Sequence, residues 1–120
     1  MNKAGFIALV VIAVFILVGK QTYDNSKIDV VKNASPVGYN NTYGRAFEKA
    51  FTNTKWKYIN ADYDVIEFNG RDRSGNDVVM QIAKDTTITN TWVVFFASTN
   101  NRSMGVFEIQ SYIFEVFNNY

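Results

Sequence analysis

The chain has 120 residues, which leaves room for one small domain beside an N-terminal segment. Its 12 basic and 11 acidic side chains nearly cancel, so it offers no basic surface for nucleic acid. It contains neither histidine nor cysteine, which excludes Ser-His-Asp and Cys-His catalytic systems, His/Cys zinc sites, disulfides and lipid attachment through a thiol.

The first predicted element is the apolar segment of residues 4–19, AGFIALVVIAVFILVG, which lies between Lys3 and Lys20. A helix of this length rises about 24 Å, a short span for a hydrocarbon core about 30 Å thick. The two lysines can extend it by reaching the interfaces, and it lacks the polar face of a soluble helix. We therefore predict an uncleaved signal-anchor over residues 1–20. Its apolar side chains are Phe6, Ile7, Leu9, Val10, Val11, Ile12, Val14, Phe15, Ile16, Leu17 and Val18.

Two other interpretations of this segment stay open. A cleaved secretory signal also has a basic start and an apolar core, but the residues after Leu17 form a poor cleavage site. The stretch from Lys3 to Phe6, KAGF, resembles the processing site of type IV pilins and pseudopilins, which are cut after the glycine. Most of those proteins carry a glutamate where this chain has Val10, and burying the new amine without a carboxylate is costly.

Lys3 and the N-terminal amine precede the apolar segment, and the three lysines that follow it are partly offset by Asp24 and Asp29. The charges on the two sides are thus nearly balanced, so the positive-inside rule does not set the orientation. A short leader before an N-terminal apolar segment is typical of a signal-anchor whose N-terminus stays in the cytoplasm. Asn, Thr, Ser and Tyr are common in the rest of the chain and suit an extracytoplasmic surface. We expect a single-pass protein of the cell membrane with its domain outside.

Residues 21–41 are predicted to be a polar stalk, because Pro36 and Gly38 interrupt them and little periodicity is present. Within it, Ile28, Val30 and Val31 leave two alternatives open, an edge strand or a helical extension of the anchor. Residues 42–120 are predicted to be the domain. Thr42 offers an N-cap to a first helix, whose apolar residues recur at helical spacing.

Four strands are predicted next, over residues 56–59, 64–69, 77–83 and 92–97. The second and third alternate between apolar and polar side chains, which is typical of half-buried strands. Residues 70–76 between them have the composition of a hairpin loop. The fourth strand is apolar on both faces, which predicts a central position in the sheet.

Residues 104–120 are predicted to form a second helix, because their apolar residues fall on one arc at 100° per residue. That arc consists of Val106, Ile109, Ile113, Val116, Phe117 and Tyr120. The order of helix, four antiparallel strands and helix predicts a two-layer α+β domain behind the transmembrane helix.

The predicted domain contains Tyr43-Gly44-x-Ala46-Phe47, then Phe51-x-Asn53-x-x-Trp56-x-Tyr58 and Val65-x-x-Phe68-x-Gly70. This pattern resembles a loosely defined family of bacterial membrane-anchored envelope domains, over about residues 28–120. The resemblance implies a small domain held behind a membrane helix. It implies no established activity and no functional residues.

Carboxylates are the remaining candidates for chemistry. Asp62 and Asp64 flank Tyr63, and Asp72 lies between two arginines. A glycosidase-like pair needs a cleft between two carboxylates, and calcium needs more oxygen donors than either cluster offers. We interpret both clusters as solvated turn residues, and we expect no catalytic residue, no metal site and no cofactor.

The sequence therefore favours a binding module over an enzyme, with another envelope protein or a second copy of the chain as its partner. Tyrosine and arginine are enriched at interfaces, so Tyr39, Tyr63, Arg71 and Arg73 are the candidate contacts. No nucleic acid and no small-molecule substrate are indicated. The alternative function is a pilin-like or pseudopilin-like structural subunit of a fibre, processed after Gly5.

Overall fold

The computed structural model describes residues 21–22, 25–60, 62–88 and 90–119. These residues form one antiparallel sheet whose six strands lie in sequence order. The strands are β1 (Gln21–Thr22), β2 (Thr52–Asn60), β3 (Asp64–Arg71), β4 (Asp77–Asp85), β5 (Thr91–Thr99) and β6 (Arg102–Ser103). The described helices are α1 (Asn25–Lys32), α2 (Tyr43–Ala50) and α3 (Val106–Asn119). The predicted α+β class is confirmed.

The main core lies between the helices and one face of the sheet, called here the front face. Alternate residues of a strand point to opposite faces, and the buried hydrophobic residues on the front face of β2, β3 and β4 join one cluster with the helices. Phe47 of α2 lies at its centre, with its ring centroid 4.8 Å from that of Phe68 and 5.7 Å from that of Trp56. Trp56 is buried, and Trp92 packs against the cluster while half-buried.

Helix α2 begins as predicted. Thr42 accepts a hydrogen bond at its Oγ1 from the backbone N–H of Arg45, at 3.3 Å, which satisfies one of the free donors of the first turn. A Cβ on Gly44 would lie 2.9 Å from the backbone oxygen of Lys32. Glycine at this position therefore allows α2 to lie close against the end of α1.

Helix α1 lies within the range expected to be a polar stalk, residues 21–41. Ile28 and Val31 are 6% and 0% exposed and belong to the main core, whereas Val30 is 54% exposed. Two buried residues in a short polar helix make too weak a periodicity to stand out in the sequence. The folded domain therefore includes α1. This helix ends at Lys32, before Pro36, as expected because proline interrupts helices.

The four predicted strands are confirmed with longer bounds, but the central position expected for residues 92–97 is wrong. Strand β5 pairs with β4 on one side and only with the two-residue β6 on the other. A β-bulge between Gln81 and Ile82 shifts the register of β5. The strand buries Ala97 in the main core and Phe95 in a second cluster. It is apolar on both faces because each face packs against one of these clusters.

Helix α3 confirms the predicted C-terminal helix over most of its length. Ile109, Ile113 and Val116 are buried as the arc predicts, but Val106 is 56% exposed. It is the first residue of the helix, so it projects beyond the edge of the core. Tyr120, the last member of the arc, lies outside the described residues.

The predicted anchor, residues 1–20 with all its apolar side chains, also lies outside the described residues. In the part of the chain that the structure describes, no helix has the length and apolarity needed to cross a membrane.

Candidate binding surface

The outward side of α3 carries two exposed aromatic side chains. Phe107 is 82% exposed and Phe114 is 58% exposed. They lie seven residues apart, about two turns, so they occupy the same side of the helix about 10.5 Å apart along its axis. The buried residues Ile109 and Ile113 fix the opposite side against the sheet. The two rings therefore form an apolar stripe, and its exposure serves no purpose in the domain's own packing.

A shallow groove of about 400 Å³ runs beside this stripe. Its lining consists of Met104, Phe107, Glu108, Ser111, Tyr112 and Glu115. Met104 and Tyr112 also pack against the main core, so they form a fixed floor. Glu108 and Glu115 are exposed and repeat the seven-residue spacing of the two phenylalanines. We call this surface, with its apolar stripe and acidic rim, the α3 groove.

The acidic rim keeps its charge largely available. Glu108 Oε2 lies 4.0 Å from Arg102 Nη2, and both side chains are well exposed to solvent. A pair at this distance and exposure contributes little energy. Glu108 Oε1 also accepts a 3.2 Å hydrogen bond from the backbone N–H of Gly105, which holds the carboxylate at the start of the helix.

The floor of the groove is tied to the hairpin between β3 and β4. Tyr112 donates a 3.3 Å hydrogen bond from its hydroxyl to Asp72 Oδ2. Asp72 Oδ1 accepts the backbone N–H groups of Ser74 and Asn76, each at 2.9 Å. Asp72 is thus a half-buried structural residue of the turn. The sequence correctly placed it in a turn, but the prediction that it is only solvated is wrong.

The structure places the four predicted contact residues apart from one another. Tyr39 is half-buried, with its ring centroid 5.0 Å from that of Phe117. Tyr63 packs against the second cluster at the β2–β3 turn. Arg71 and Arg73 lie at the opposite end of β3, where both are exposed and Arg71 pairs with Asp77 at 3.2 Å.

Sequence reasoning missed Phe107 and Phe114 as surface candidates. Both fall outside the apolar arc used to predict the helix. Two large aromatic residues off that arc, at helical spacing from each other, could have indicated an exposed apolar surface. Their exposure depends on which side of α3 meets the sheet. The apolar arc gave that side only in part, since Val106 belongs to the arc and is exposed.

In the other predicted cluster, Asp64 serves the fold, whereas Asp62 is exposed. Asp64 accepts a 2.6 Å hydrogen bond from the Tyr58 hydroxyl at Oδ1, and its Oδ2 pairs with Lys27 Nζ at 3.1 Å. These contacts join β2, β3 and α1. Within residues 25–60, 62–88 and 90–119, no group of three or more acidic or other metal-ligating side chains converges.

The described residues define a small α+β domain with one helical layer on an antiparallel sheet. Comparison of the chain with protein-family models, with curated proteins and with solved structures finds no match. Among the described residues, the α3 groove is a surface whose exposed aromatic side chains are not explained by folding.

Proposed function

We propose that this protein is a membrane-anchored binding module of the cell envelope whose domain captures a second protein in the α3 groove. The exposure of Phe107 and Phe114 on one side of α3 carries the proposal. Fully burying a phenylalanine side chain stabilises a complex by about 1.5–3 kcal/mol. Exposed aromatic residues beside a polar rim are typical of protein interfaces.

The chemistry of the groove indicates the kind of partner. Its spacing suits an amphipathic helix, which presents large apolar residues at the same seven-residue interval. The rim carboxylates of Glu108 and Glu115 favour lysine or arginine beside those apolar residues, because complementary charge selects partners and speeds encounter. We therefore infer a basic amphipathic helix of another envelope protein as the occupant.

A second copy of α3 suits this groove less well. An antiparallel pair that brings Phe107 of one copy to Phe114 of the other also brings Glu108 of one beside Glu115 of the other. Like charges at such positions destabilise a helix pair.

Membrane attachment is proposed from the apolar segment of residues 4–19 and from the resemblance to anchored envelope domains. Anchoring restricts the domain to one compartment surface and raises its effective concentration toward a partner in the same envelope. Binding is proposed in place of catalysis because Asp64 and Asp72, from the two acidic clusters that the sequence singles out, make structural hydrogen bonds.

The binding test uses the full chain in nanodiscs and a labelled helical peptide with lysines flanking two leucines seven residues apart. We expect the double variant Phe107→Ser/Phe114→Ser to bind this peptide at least tenfold more weakly than the wild type. Ile88→Ser is the matched control, because Ile88 is 66% exposed in the β4–β5 turn, away from α3. Absence of binding, equal loss in the control, or equal affinity for a glutamate-flanked peptide would contradict the proposal.

The anchor is tested separately by fractionating cells that express the full chain. We expect the protein at its full mass in the membrane fraction, resistant to alkaline carbonate and released by detergent. Recovery of a shortened chain in the soluble fraction would contradict membrane attachment and leave the groove to be judged by the peptide experiment.

A further inference from the structure

The α3 groove contains a recess at Ser111, which has the smallest of the side chains that line it. Ser111 comes four residues after Phe107 and three before Phe114, so it lies on the same side of the helix, between these two rings. Its small side chain leaves open space between larger neighbours. We call this recess, with Phe107 and Tyr112 as its walls, the Ser111 pocket.

The fold holds the Tyr112 wall of this pocket in place. The ring centroid of Tyr112 lies 6.3 Å from that of Phe51 in the main core, and its hydroxyl donates to Asp72 Oδ2 at 3.3 Å. The backbone N–H of Met104, which also lines the groove, donates to the backbone oxygen of Ala97 at 2.9 Å. Because these groups are ordered before a partner arrives, binding here costs little additional conformational entropy.

Two carboxylates lie one turn before and one turn after Ser111. Glu108 precedes it by three residues and Glu115 follows it by four, which places them about 4.5 Å and 6 Å away along the helix axis. Among the ion pairs of the described residues, none involves Glu115. The pair of Glu108 with Arg102 is long, at 4.0 Å. The pocket therefore lies between two negative charges that remain available to a partner.

Aromatic walls between two carboxylates suit a long cationic side chain. Lysine and arginine bury an apolar stem against such walls while their charged end stays near solvent. The faces of aromatic rings also attract a cation within about 6 Å. A leucine at this place would desolvate the carboxylates without compensating their charge, and a glutamate would be repelled.

We propose that the Ser111 pocket receives one lysine or arginine side chain of the helix that binds in the α3 groove. This inference rests on the proposed function and specifies its partner, whose cationic residue lies three or four positions after the first of its two apolar contacts. The groove is shallow, with a volume of about 400 Å³, whereas sites for free small ligands bury most of the ligand surface. A side chain presented by a partner therefore fits this pocket better than a free cation.

Two labelled helical peptides of identical composition test this position with the full chain in nanodiscs. Both carry two leucines seven residues apart and the same number of lysines. In the first peptide one lysine is the fourth residue after the first leucine, and in the second this lysine is exchanged with an alanine outside the leucine pair. We expect the first peptide to bind at least about fivefold more tightly, because only its lysine reaches both the rings and the carboxylates.

Ser111→Leu fills the pocket with an apolar side chain. We expect this variant to bind the first peptide only as tightly as the second, and to bind the second as the wild type does. Ser74→Leu is the matched control, because Ser74 is exposed in the β3–β4 turn and does not line the groove. Leucine favours a helix more than serine does, so Ser111→Leu should unfold in urea at the wild-type midpoint or above it. That measurement separates a filled pocket from a misfolded domain.

Glu115→Gln removes one of the two charges and nearly preserves the size of the side chain. We expect it to weaken binding of the first peptide about threefold, because a partly exposed ion pair is lost. Binding of a first peptide whose pocket lysine is replaced by glutamine should be unchanged by Glu115→Gln. Asp29→Asn is the control, because Asp29 is exposed on α1 and does not line the groove.

Equal affinity of the wild type for the two peptides would overturn the inference, as would undiminished binding of the first peptide to Ser111→Leu. If both peptides bind equally and Phe107→Ser/Phe114→Ser abolishes the binding of both, the proposed function stands and the Ser111 pocket is wrong. If neither peptide binds the wild type, the proposed function and this inference fail together.

Discussion

The indole Nε1 of Trp56 donates a 2.8 Å hydrogen bond to Oε2 of Glu48, which ties β2 to the last turn of α2. The other oxygen, Oε1, accepts the hydroxyl of Thr54, also at 2.8 Å. Glu48 is exposed, yet its carboxylate orients a buried indole that stacks on Phe47 in the main core. A surface charge therefore helps to set the geometry of the core.

Replacement of this carboxylate should destabilise the domain. Hydrogen bonds to charged groups contribute about 1.5–3 kcal/mol, so Glu48→Ala is expected to lower the free energy of unfolding by about 2 kcal/mol. Lys49→Ala is the control, because Lys49 is exposed on the same helix. Urea denaturation of both variants checks the prediction, which fails if the two midpoints shift equally.

Helix α1 should contribute to stability, although its sequence is typical of a linker. Ile28→Ala removes a side chain that is 6% exposed in the main core, and such truncations cost about 2–5 kcal/mol. Val30→Ala on the same helix removes an exposed side chain and should change stability by less than about 0.5 kcal/mol. Thermal unfolding of the pair distinguishes a packed helix from a stalk, for which both variants would unfold like the wild type.

Gly70 should not tolerate a side chain. A Cβ there would lie 2.8 Å from Cζ of Phe68 and 2.9 Å from Cβ of Phe51. Overpacking of this kind costs about 1–3 kcal/mol, so Gly70→Ala is expected to lower the unfolding midpoint. At Gly105 the nearest atom would be Glu108 Oε1 at 3.7 Å, so Gly105→Ala serves as the control and should have little effect.

Stability should fall in alkaline solution because of Tyr43. Its hydroxyl donates a 2.9 Å hydrogen bond to the backbone oxygen of Trp92, and burial, with a smaller contribution from Tyr39, raises the pKa of Tyr43 above its ordinary value. The unfolded state loses this proton near pH 10 while the folded state keeps it. The contribution of Tyr43 is therefore fully present below about pH 10 and declines as the pH rises toward the folded pKa.

Tyr43→Phe should separate this effect from the titration of the other tyrosines. Below pH 9 the variant should lose about 1 kcal/mol with its hydrogen bond. Above pH 10 its stability should fall less steeply with pH than that of the wild type. Urea denaturation across pH 8–11 checks the difference, and parallel curves for the two proteins would contradict the assignment to Tyr43.

The turn between β3 and β4 should depend on Asp72. Asp72→Ala removes the acceptor of two backbone N–H groups and of the Tyr112 hydroxyl, and we expect a loss of about 1–3 kcal/mol. Tyr112→Phe should cost about 1 kcal/mol or less, because its hydrogen bond to Asp72 is long, at 3.3 Å. A double-mutant cycle with urea measures their coupling, which should differ from zero if the turn and α3 are linked.

Much of the fold follows from local pattern. Alternating side chains placed β3 and β4 correctly, and Thr42 marked the first turn of α2 because a hydroxyl can satisfy a free N–H locally. The C-terminal helix was predictable from Ile109, Ile113 and Val116, whose spacing matches one side of a helix.

The failures share a cause, which is that long-range contacts decide them. Helix α1 has only two buried residues, and their burial depends on β2 and β3, which are distant in the sequence. The position of β5 in the sheet depends on the order of strands, and its two apolar faces depend on the cluster that packs against each of them. No local pattern records either feature.

The sequence by itself determined the α+β class, the positions of the long strands and the absence of histidine and cysteine chemistry, because these depend on composition and on short-range periodicity. Only the tertiary structure decided that Phe107 and Phe114 remain outside the core, and that Val65 and Ala83 are buried in a cluster separate from the main core. Both follow from which side of each element meets its neighbours. That choice depends on the apolar area that several packed elements remove from water together, so it cannot be read from one element alone.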